Sequence, residues 1–480
     1  MLMLPDLMVI ATAFAVLLLD VLVPEKRRVV LAPIALAGLA LAFFTLLATP
    51  QDGELLGGRF ALDVVTWWFK LLFLLAGFIT VLISLDLLDG RVRVRARGIG
   101  FRGEYYTILL FTISGMLYLI SARDLITLYV SLELCTMPLF LLAAWRRDDL
   151  KSGEAGLKYV IYGALASAFL LYGLSFVYGL TGEMRLDALA RQLQGGAPPL
   201  LWLAAALIVA GAGFKVTMVP FHMWAADVYE GAPIPVTAYL SVASKAAGLA
   251  LMFQMFYRVF GPWLHEWSDL IAVFAAVTMT LGNVVAIVQN NIKRFMAFSA
   301  ISQAGYTILG FLGPLDTGIP AMIFYLLVYI VTNLAVFACI VWYSNETGRE
   351  QIQDYRGLAQ TNPVIALMMM LGLFSLAGIP PLSGFVGKFF LFSVCAGAGY
   401  HWLVAVAAIN STVSLYYYLR VVRQMYIEPP EENAPRLTAS PTLATTMAAL
   451  TVGVVLLGIV PVFYETIHGQ TITWLAALAQ

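Results

Sequence analysis

The sequence predicts an all-α, polytopic membrane protein with about 14 transmembrane helices, and three observations carry that prediction. First, 61% of the 480 residues are hydrophobic and only 12% are charged, with a mean hydropathy of +0.87. Soluble domains carry about a quarter of their residues as charges, so most of this chain cannot be solvated. Second, apolar runs near the roughly 20 residues that cross a bilayer recur from end to end. They fall at 4–23, 29–48, 64–85, 105–121, 124–144, 158–180, 200–226, 234–260, 268–290, 296–313, 318–344, 363–396, 401–425 and 442–465. Third, Lys and Arg alternate between connections. Those after odd-numbered spans hold 19, those after even-numbered spans hold five (Arg59, Arg123, Arg185, Arg191 and Arg258), and four lie inside spans. By the positive-inside rule the odd connections are cytoplasmic and both termini face the periplasmic side.

Taken in order, residues 1–104 form an N-terminal three-helix segment. Its first apolar run follows Met-Leu-Met-Leu-Pro-Asp, with no basic stretch, and so reads as a span rather than a cleaved signal peptide. Residues 51–63 suit a small hairpin around Gly57-Gly58. An Arg-rich connection occupies 86–104, and EMRLDALARQLQ at 183–194 suits a short interfacial helix. Residues 105–260 and 268–425 form two five-helix repeats (spans 4–8 and 9–13), and 426–480 holds a C-terminal transmembrane helix.

The repeat rests on order more than on similarity. TISGMLYLISARDLITLYVSLE in spans 4–5 echoes TMTLGNVVAIVQNNIKRFMAFSA in spans 9–10, and KYVIYGALASAFLLYG in span 6 echoes FYLLVYIVTNLAVFAC in span 11. Each block then carries an interrupted span: Pro220 follows Lys215 in span 7, and Gly378-Ile-Pro380-Pro381-Leu-Ser-Gly384 precedes Lys388 in span 12. Blocks that start five spans apart have opposite topology, and paired discontinuous helices in an inverted repeat point to a transport site.

The function classes that composition excludes are several. A net charge of zero gives nothing to favour nucleic acid. Cys135, Cys339 and Cys395 lie in apolar spans without a CxxC pairing, which argues against disulfides, iron–sulfur clusters and structural zinc. P-loop, dinucleotide and HExxH patterns are absent from the sequence, so no cofactor is expected on this chain.

Charges inside spans are therefore the functional candidates, since one at mid-bilayer costs about 2.5–3.5 kcal/mol on insertion scales. Lys215 is too deep to snorkel. Pro220 lacks an N–H, so the carbonyl of Val216 needs water or another polar group beside it. Glu133, an acid deep in span 5, is expected to pair with Lys215. Lys245 sits among small residues in span 8, and Lys388 follows the Pro380-Pro381 break. His222 suits either a proton relay or packing. Lys70 reads as a snorkelling lysine near a span end. Asp227 and Glu230 read as turn anchors, and Ser302, Gln303 and Tyr306 as lining of a water path.

Three stretches resemble a known family. GFKVTMVPFHMWAADVYEGAPIPVTAYLSVASK at 213–245, LAGIPPLSGFVGKFFLF at 376–392 and SLELCTMPLF around Glu133 are similar to the subunit N family of bacterial NADH:quinone oxidoreductase (respiratory complex I). The resemblance covers essentially the whole chain and is closer to N than to its paralogues L and M. It implies a proton-translocating subunit in which Glu133 and Lys215 form the modulating pair of an input half-channel, Lys245 connects, and Lys388 is the outlet. It implies an M-like neighbour, a K-like small subunit and the lateral helix of an L-like subunit as partners in the bacterial cell inner membrane. NAD, FMN, iron–sulfur clusters and quinone would then belong to other subunits. The alternatives are a subunit of a multi-subunit cation/proton antiporter, a member of a ferredoxin- or hydrogen-linked membrane complex, and a non-pumping scaffold.

Overall fold

The computed structural model of the chain describes residues 1–88, 102–193, 199–431 and 436–478. Most of the Arg-rich connection 86–104 thus lies outside the described residues. The elements run in order as α1 (Leu4–Leu22), α2 (Leu31–Leu47), a hairpin of β1 (Gly53–Leu55) and β2 (Phe60–Leu62), α3 (Val64–Leu88), α4 (Arg102–Ser121), α5 (Leu125–Ala143), α6 (Leu150–Thr181), α7 (Leu186–Gln192) and α8 (Pro199–Val216). There follow α9 (Ala225–Gly231), α10 (Ile234–Tyr239), α11 (Lys245–Met252), α12 (Leu264–Ile287), α13 (Ile292–Ile308), α14 (Leu315–Thr347), α15 (Leu358–Thr361), α16 (Pro363–Ala377), α17 (Ser383–Gly397), α18 (His401–Tyr426), α19 (Pro441–Ile459) and α20 (Val462–Leu478).

Among the described residues, 13 helices are long and apolar enough to cross a membrane, and the expected span 363–396 is the broken pair α16–α17. The hairpin and the short helix expected near 183–194 both form. The last span differs from expectation. The sequence predicts it over 442–465, but α19 stops at Ile459 and a further helix, α20, follows. Pro461 explains the stop, because it forces Val460 into an extended conformation and cannot donate to the helix.

Two compact units contain these elements. The first draws on 1–78, 101–224 and 243–271. In it α4 and α5 lie against each other because Gly115 has no side chain: a Cβ there would fall 2.4 Å from the backbone nitrogen of Cys135. The second draws on 79–100, 225–242 and 272–480. Its axis is α14, whose apolar stretch is buried throughout and is packed by α16, α17, α19 and α20. Here Gly282 serves α12 and α13 as Gly115 serves α4 and α5, since a Cβ would fall 2.6 Å from the nitrogen of Ser302.

Each unit also carries the same backbone clip. In the first, Asp124 caps α5 by accepting from Thr127 N–H, while Leu125 N–H donates to Met184 O (3.0 Å) and Leu186 N–H to Arg123 O (2.9 Å). In the second, Asn291 caps α13, while Ile292 N–H donates to Glu350 O and Ile352 N–H to Asn290 O (both 2.8 Å). The long helix that leads to each clip, α6 or α14, ends on a left-handed glycine, Gly182 (φ 68°) or Gly348 (φ 71°). Only glycine takes that conformation without cost.

Candidate functional site

In the first unit α8 ends at Val216, inside the run 200–226 expected as one span. Helix geometry fails at Thr217 (φ 66°), and Val219–Pro220 is cis. The carbonyls released there are satisfied by protein groups. Thr217 Oγ1 donates to Val216 O (2.5 Å), Met218 N–H to Gly213 O (2.8 Å) and Trp224 Nε1–H to Phe214 O (3.1 Å). The polar group that the sequence demanded at Val216 is thus the next residue's own hydroxyl.

Lys215 occupies the last turn of α8 and is 2% exposed. Its Nζ has no hydrogen-bond partner among the described residues. The expected pairing with Glu133 does not close into contact. Glu133 is half-buried with Oε1 unpaired, and its carboxyl meets the Tyr129 phenol one turn back on α5. Burial is the main influence on the Lys215 ammonium, and Cys135 and Glu133 act on it only through space. A narrow cavity reaches the lysine between α5, α6 and α8, with the hydroxyls of Thr136 and Ser167 on its wall. His222 lies in the break, half-buried, its ring directed at the Pro220 carbonyl and not at Lys215.

Lys245 opens α11 and is also 2% exposed. The helix around it widens into π turns at Leu240–Ser244 and Phe253–Val259, a distortion frequent at functional sites. Gly248 lets α11 press onto α8. A Cβ on it would fall 2.8 Å from Lys215 Cβ and 2.9 Å from Val216 N. Lys215 and Lys245 therefore stand on touching helices of one unit.

The second unit breaks its span between α16 and α17. Gly378 (φ 89°) ends α16, Pro380–Pro381 is cis, and Lys388 follows in α17. Lys388 Nζ donates to Leu376 O (3.0 Å), Ala377 O (3.2 Å) and Ser411 Oγ (3.2 Å), and lies 4.5 Å from the centre of the Tyr306 ring. Two carbonyls freed by the helix end, one hydroxyl and one ring face thus hold an ammonium group with no carboxylate in contact. Gln303 binds the same Leu376 carbonyl (3.0 Å) and joins Tyr325 and Tyr418, and Tyr418 meets Ser299 (2.5 Å). Ser411, Tyr325 and Tyr418 carried no signal that sequence reasoning used, because a single hydroxyl in an apolar run is unremarkable there. Ser302, expected on the same path, has an unpaired hydroxyl.

Lys70 does not snorkel. It is fully buried and paired to Asp6, with Nζ 2.7 and 2.8 Å from the two carboxylate oxygens, and lies 4.6 Å from the centre of the Phe60 ring. Asp6 escaped notice because an acid in a first helical turn reads as a cap. Asp63 gathers Arg123 (2.9 Å) and Arg258 and accepts from Thr66 N–H (2.8 Å). Burial opposes its charge, but Arg258, Arg123 and the Thr66 N–H prevail and hold the carboxyl well below the usual carboxylate range. Asp227 and Glu230, expected as turn anchors, instead lie within the short helix α9 and tie it to α13 through Arg294 (2.7 and 3.0 Å). Among the described residues no three His, Cys, Asp or Glu side chains converge as metal ligands would.

Broken membrane helices with buried lysines define an antiporter-like membrane subunit, and residues 122–414 match the family described as NADH:quinone oxidoreductase/Mrp antiporter, TM. NADH-quinone oxidoreductase subunit N of Desulforamulus reducens is 42% identical over 458 residues, covering 95% of this chain and 94% of that protein. The chain belongs to the NADH-quinone oxidoreductase subunit N family. A chain of respiratory complex I from Thermus thermophilus superimposes with a TM-score of 0.79 at 33% identity, covering 95% of this chain and 97% of its own. A chain of the Mrp complex from Dietzia sp. shares the fold (TM-score 0.85, 22% identity, covering 97% of this chain and 96% of its own).

Proposed function

We propose that this chain translocates protons as the N subunit of an NADH-quinone oxidoreductase, through Lys215, Lys245 and Lys388, with Glu133 modulating Lys215. The observation that carries the reading is the pair of interrupted helices, each with a fully enclosed lysine at the break. A lysine at such a depth costs about 2.5–3.5 kcal/mol on insertion scales, so its presence points to a use for its charge. Lys388 sits among neutral acceptors that tolerate either protonation state of the amine. Lys215 has no fixed partner to trap its proton. Movement of Glu133 relative to Lys215 changes the lysine's proton affinity, and this is the step at which conformational work from elsewhere enters.

In this reading the repeats at 105–260 and 268–425 are inverted copies that supply the input and outlet halves. The recurrent glycine contact, cap, clip and left-handed helix end support a common origin. The chain lies in the bacterial inner membrane with both termini periplasmic, beside M-like and K-like neighbours and the lateral helix of an L-like subunit. NAD, FMN, iron–sulfur clusters and quinone sit on partner subunits. Each proton exported against 100 mV requires about 2.3 kcal/mol, which quinone reduction supplies. His222 flanks the input break and takes part in relay only if the Pro220 segment turns.

The test is Lys215→Met in the assembled complex, reconstituted in sealed vesicles with acidification followed during electron transfer. Proton translocation is expected to fall while the complex still assembles. Unchanged assembly, turnover and proton-to-electron ratio would remove this subunit from the proton route.

A further inference from the structure

Lys215 and Lys245 stand on touching helices, and a proton passing between them needs polar groups to carry it. Three unpaired polar atoms in the first unit bear on this. Lys215 Nζ, Tyr159 Oη and Ser244 Oγ are each buried and none has a hydrogen-bond partner among the described residues. An orphaned buried donor or acceptor costs about 1–3 kcal/mol, so three together mark a place that polar groups are retained to serve.

Their positions form a sequence. Cys135 lies within electrostatic reach of both Lys215 and the Tyr159 hydroxyl, its own thiol being committed to Leu132 O (3.1 Å). The hydroxyls of Tyr159 and Ser244 face each other without closing a bond. Ser244 ends the π turn and directly precedes Lys245. It also lies four residues before Gly248, the contact point of α11 with Lys215, and so shares that face of the helix. The Tyr159 ring is immobilised: it stacks on Trp224 (4.6 Å, 9° between planes) and meets Phe140 edge-on (4.8 Å, 79°). A phenol ring held by these two neighbours keeps its hydroxyl in one place.

Resting on the reading of Lys215 and Lys245 above, we propose that Tyr159 and Ser244 are the relay between the two lysines, bridged by water. The ammonium of Lys215 gives its proton to a bridging water, which passes one of its own to Tyr159 Oη. The phenol's original proton goes to Ser244 Oγ, and the serine's original proton goes to a second bridging water, which passes one of its own to the neutral amine of Lys245, because side chains of consecutive helical residues do not face each other. Each O–H formed replaces one broken, so that Lys215 ends neutral, Lys245 ends cationic, and both hydroxyls are restored.

The test is made on the whole complex in sealed vesicles, with Tyr159→Phe, Ser244→Ala, Ser244→Thr and Lys215→Met compared at equal amounts of assembled complex. Tyr159→Phe keeps the aromatic stack and Ser244→Ala keeps the helix, so assembly is expected to stay at the wild-type level. Proton translocation is expected to fall on the order of tenfold in both, the lower end of what a positioned proton-transfer group contributes being about a hundredfold and water offering a partial bypass. The residual rate should show a larger solvent isotope effect, a readout that loss of packing alone would not move. Ser244→Thr, which retains a hydroxyl, should restore the rate. Wild-type pumping in both Tyr159→Phe and Ser244→Ala beside an impaired Lys215→Met overturns the relay and leaves the lysine route standing. Wild-type pumping in Lys215→Met overturns the route and the relay with it.

Discussion

Replacing either partner of the Asp6–Lys70 pair should destabilise the protein far more than replacing both. The two groups are fully buried, and Nζ lies 2.7 and 2.8 Å from the carboxylate oxygens. With an effective dielectric constant of about 20, unit charges at that separation attract by roughly 6 kcal/mol. Withdrawing the two ions from water costs several kcal/mol each, so the pair as a whole contributes little net stability. Asp6→Leu leaves an ammonium group with no counter-charge, and Lys70→Met leaves a bare carboxylate. Each single change should cost about 3–5 kcal/mol, whereas the double change should be close to neutral. The measurement is a double-mutant cycle on the thermal midpoint of the purified complex, with the amount assembled in membranes as a second readout. A double variant whose loss equals the sum of the two single losses would refute the reasoning, because it would mean that the charges do not need each other.

Three further outcomes follow from the geometry. Gly115→Ala and Gly282→Ala should each cost about 1–3 kcal/mol, read as a lowered thermal midpoint, because the new Cβ meets backbone nitrogen at 2.4 and 2.6 Å. Ser411→Ala removes a 3.2 Å acceptor from Lys388 and should slow acidification in vesicles without impairing assembly, while Ser411→Thr should retain the wild-type rate. For Asp63→Asn the sign follows from a depressed folded-state value. The stability contributed by the carboxylate is fully present above its unfolded value, near pH 4, and is lost as the pH falls through the lower folded value. The thermal-midpoint gap between wild type and Asp63→Asn should therefore be constant from about pH 5 to 8 and narrow only in stronger acid; a gap that narrows near pH 6 would contradict it.

Much of this architecture was legible because a bilayer demands long apolar runs and punishes exceptions. The spans, the interruption at Gly378–Leu382, the stop near Pro220 and the enclosure of Lys215, Lys245 and Lys388 all follow from that demand. The failures share a physical cause, which is that linear depth is not burial. Lys70 sits near a span end and so looked free to reach water, but Asp6 from another helix holds it inside. Glu133 and Lys215 look like natural partners along the sequence, yet Lys215 Nζ and Glu133 Oε1 both stay without a hydrogen bond. The hydroxyls around Lys388 come from α13, α14 and α18, and no spacing along one helix encodes such a meeting. The separate helix α20 was missed because one proline in an apolar run was read through as span.

The clamp at Asp63 also has a timetable. Its carboxylate receives Arg123, 60 residues later in the chain, and Arg258, 195 residues later. At the ribosome's pace of about 5–20 residues per second, the first arginine emerges roughly 3–12 s after Asp63 and the second roughly 10–40 s after it. Asp63 can therefore close on Arg123 while the insertion machinery is still delivering the lysine-bearing helices, and on Arg258 only after Lys215 and Lys245 have both entered the membrane. The second closure joins the last segment of the first unit, 243–271, to its beginning, and an Arg258 variant should leave a nascent chain that lingers with the insertion apparatus.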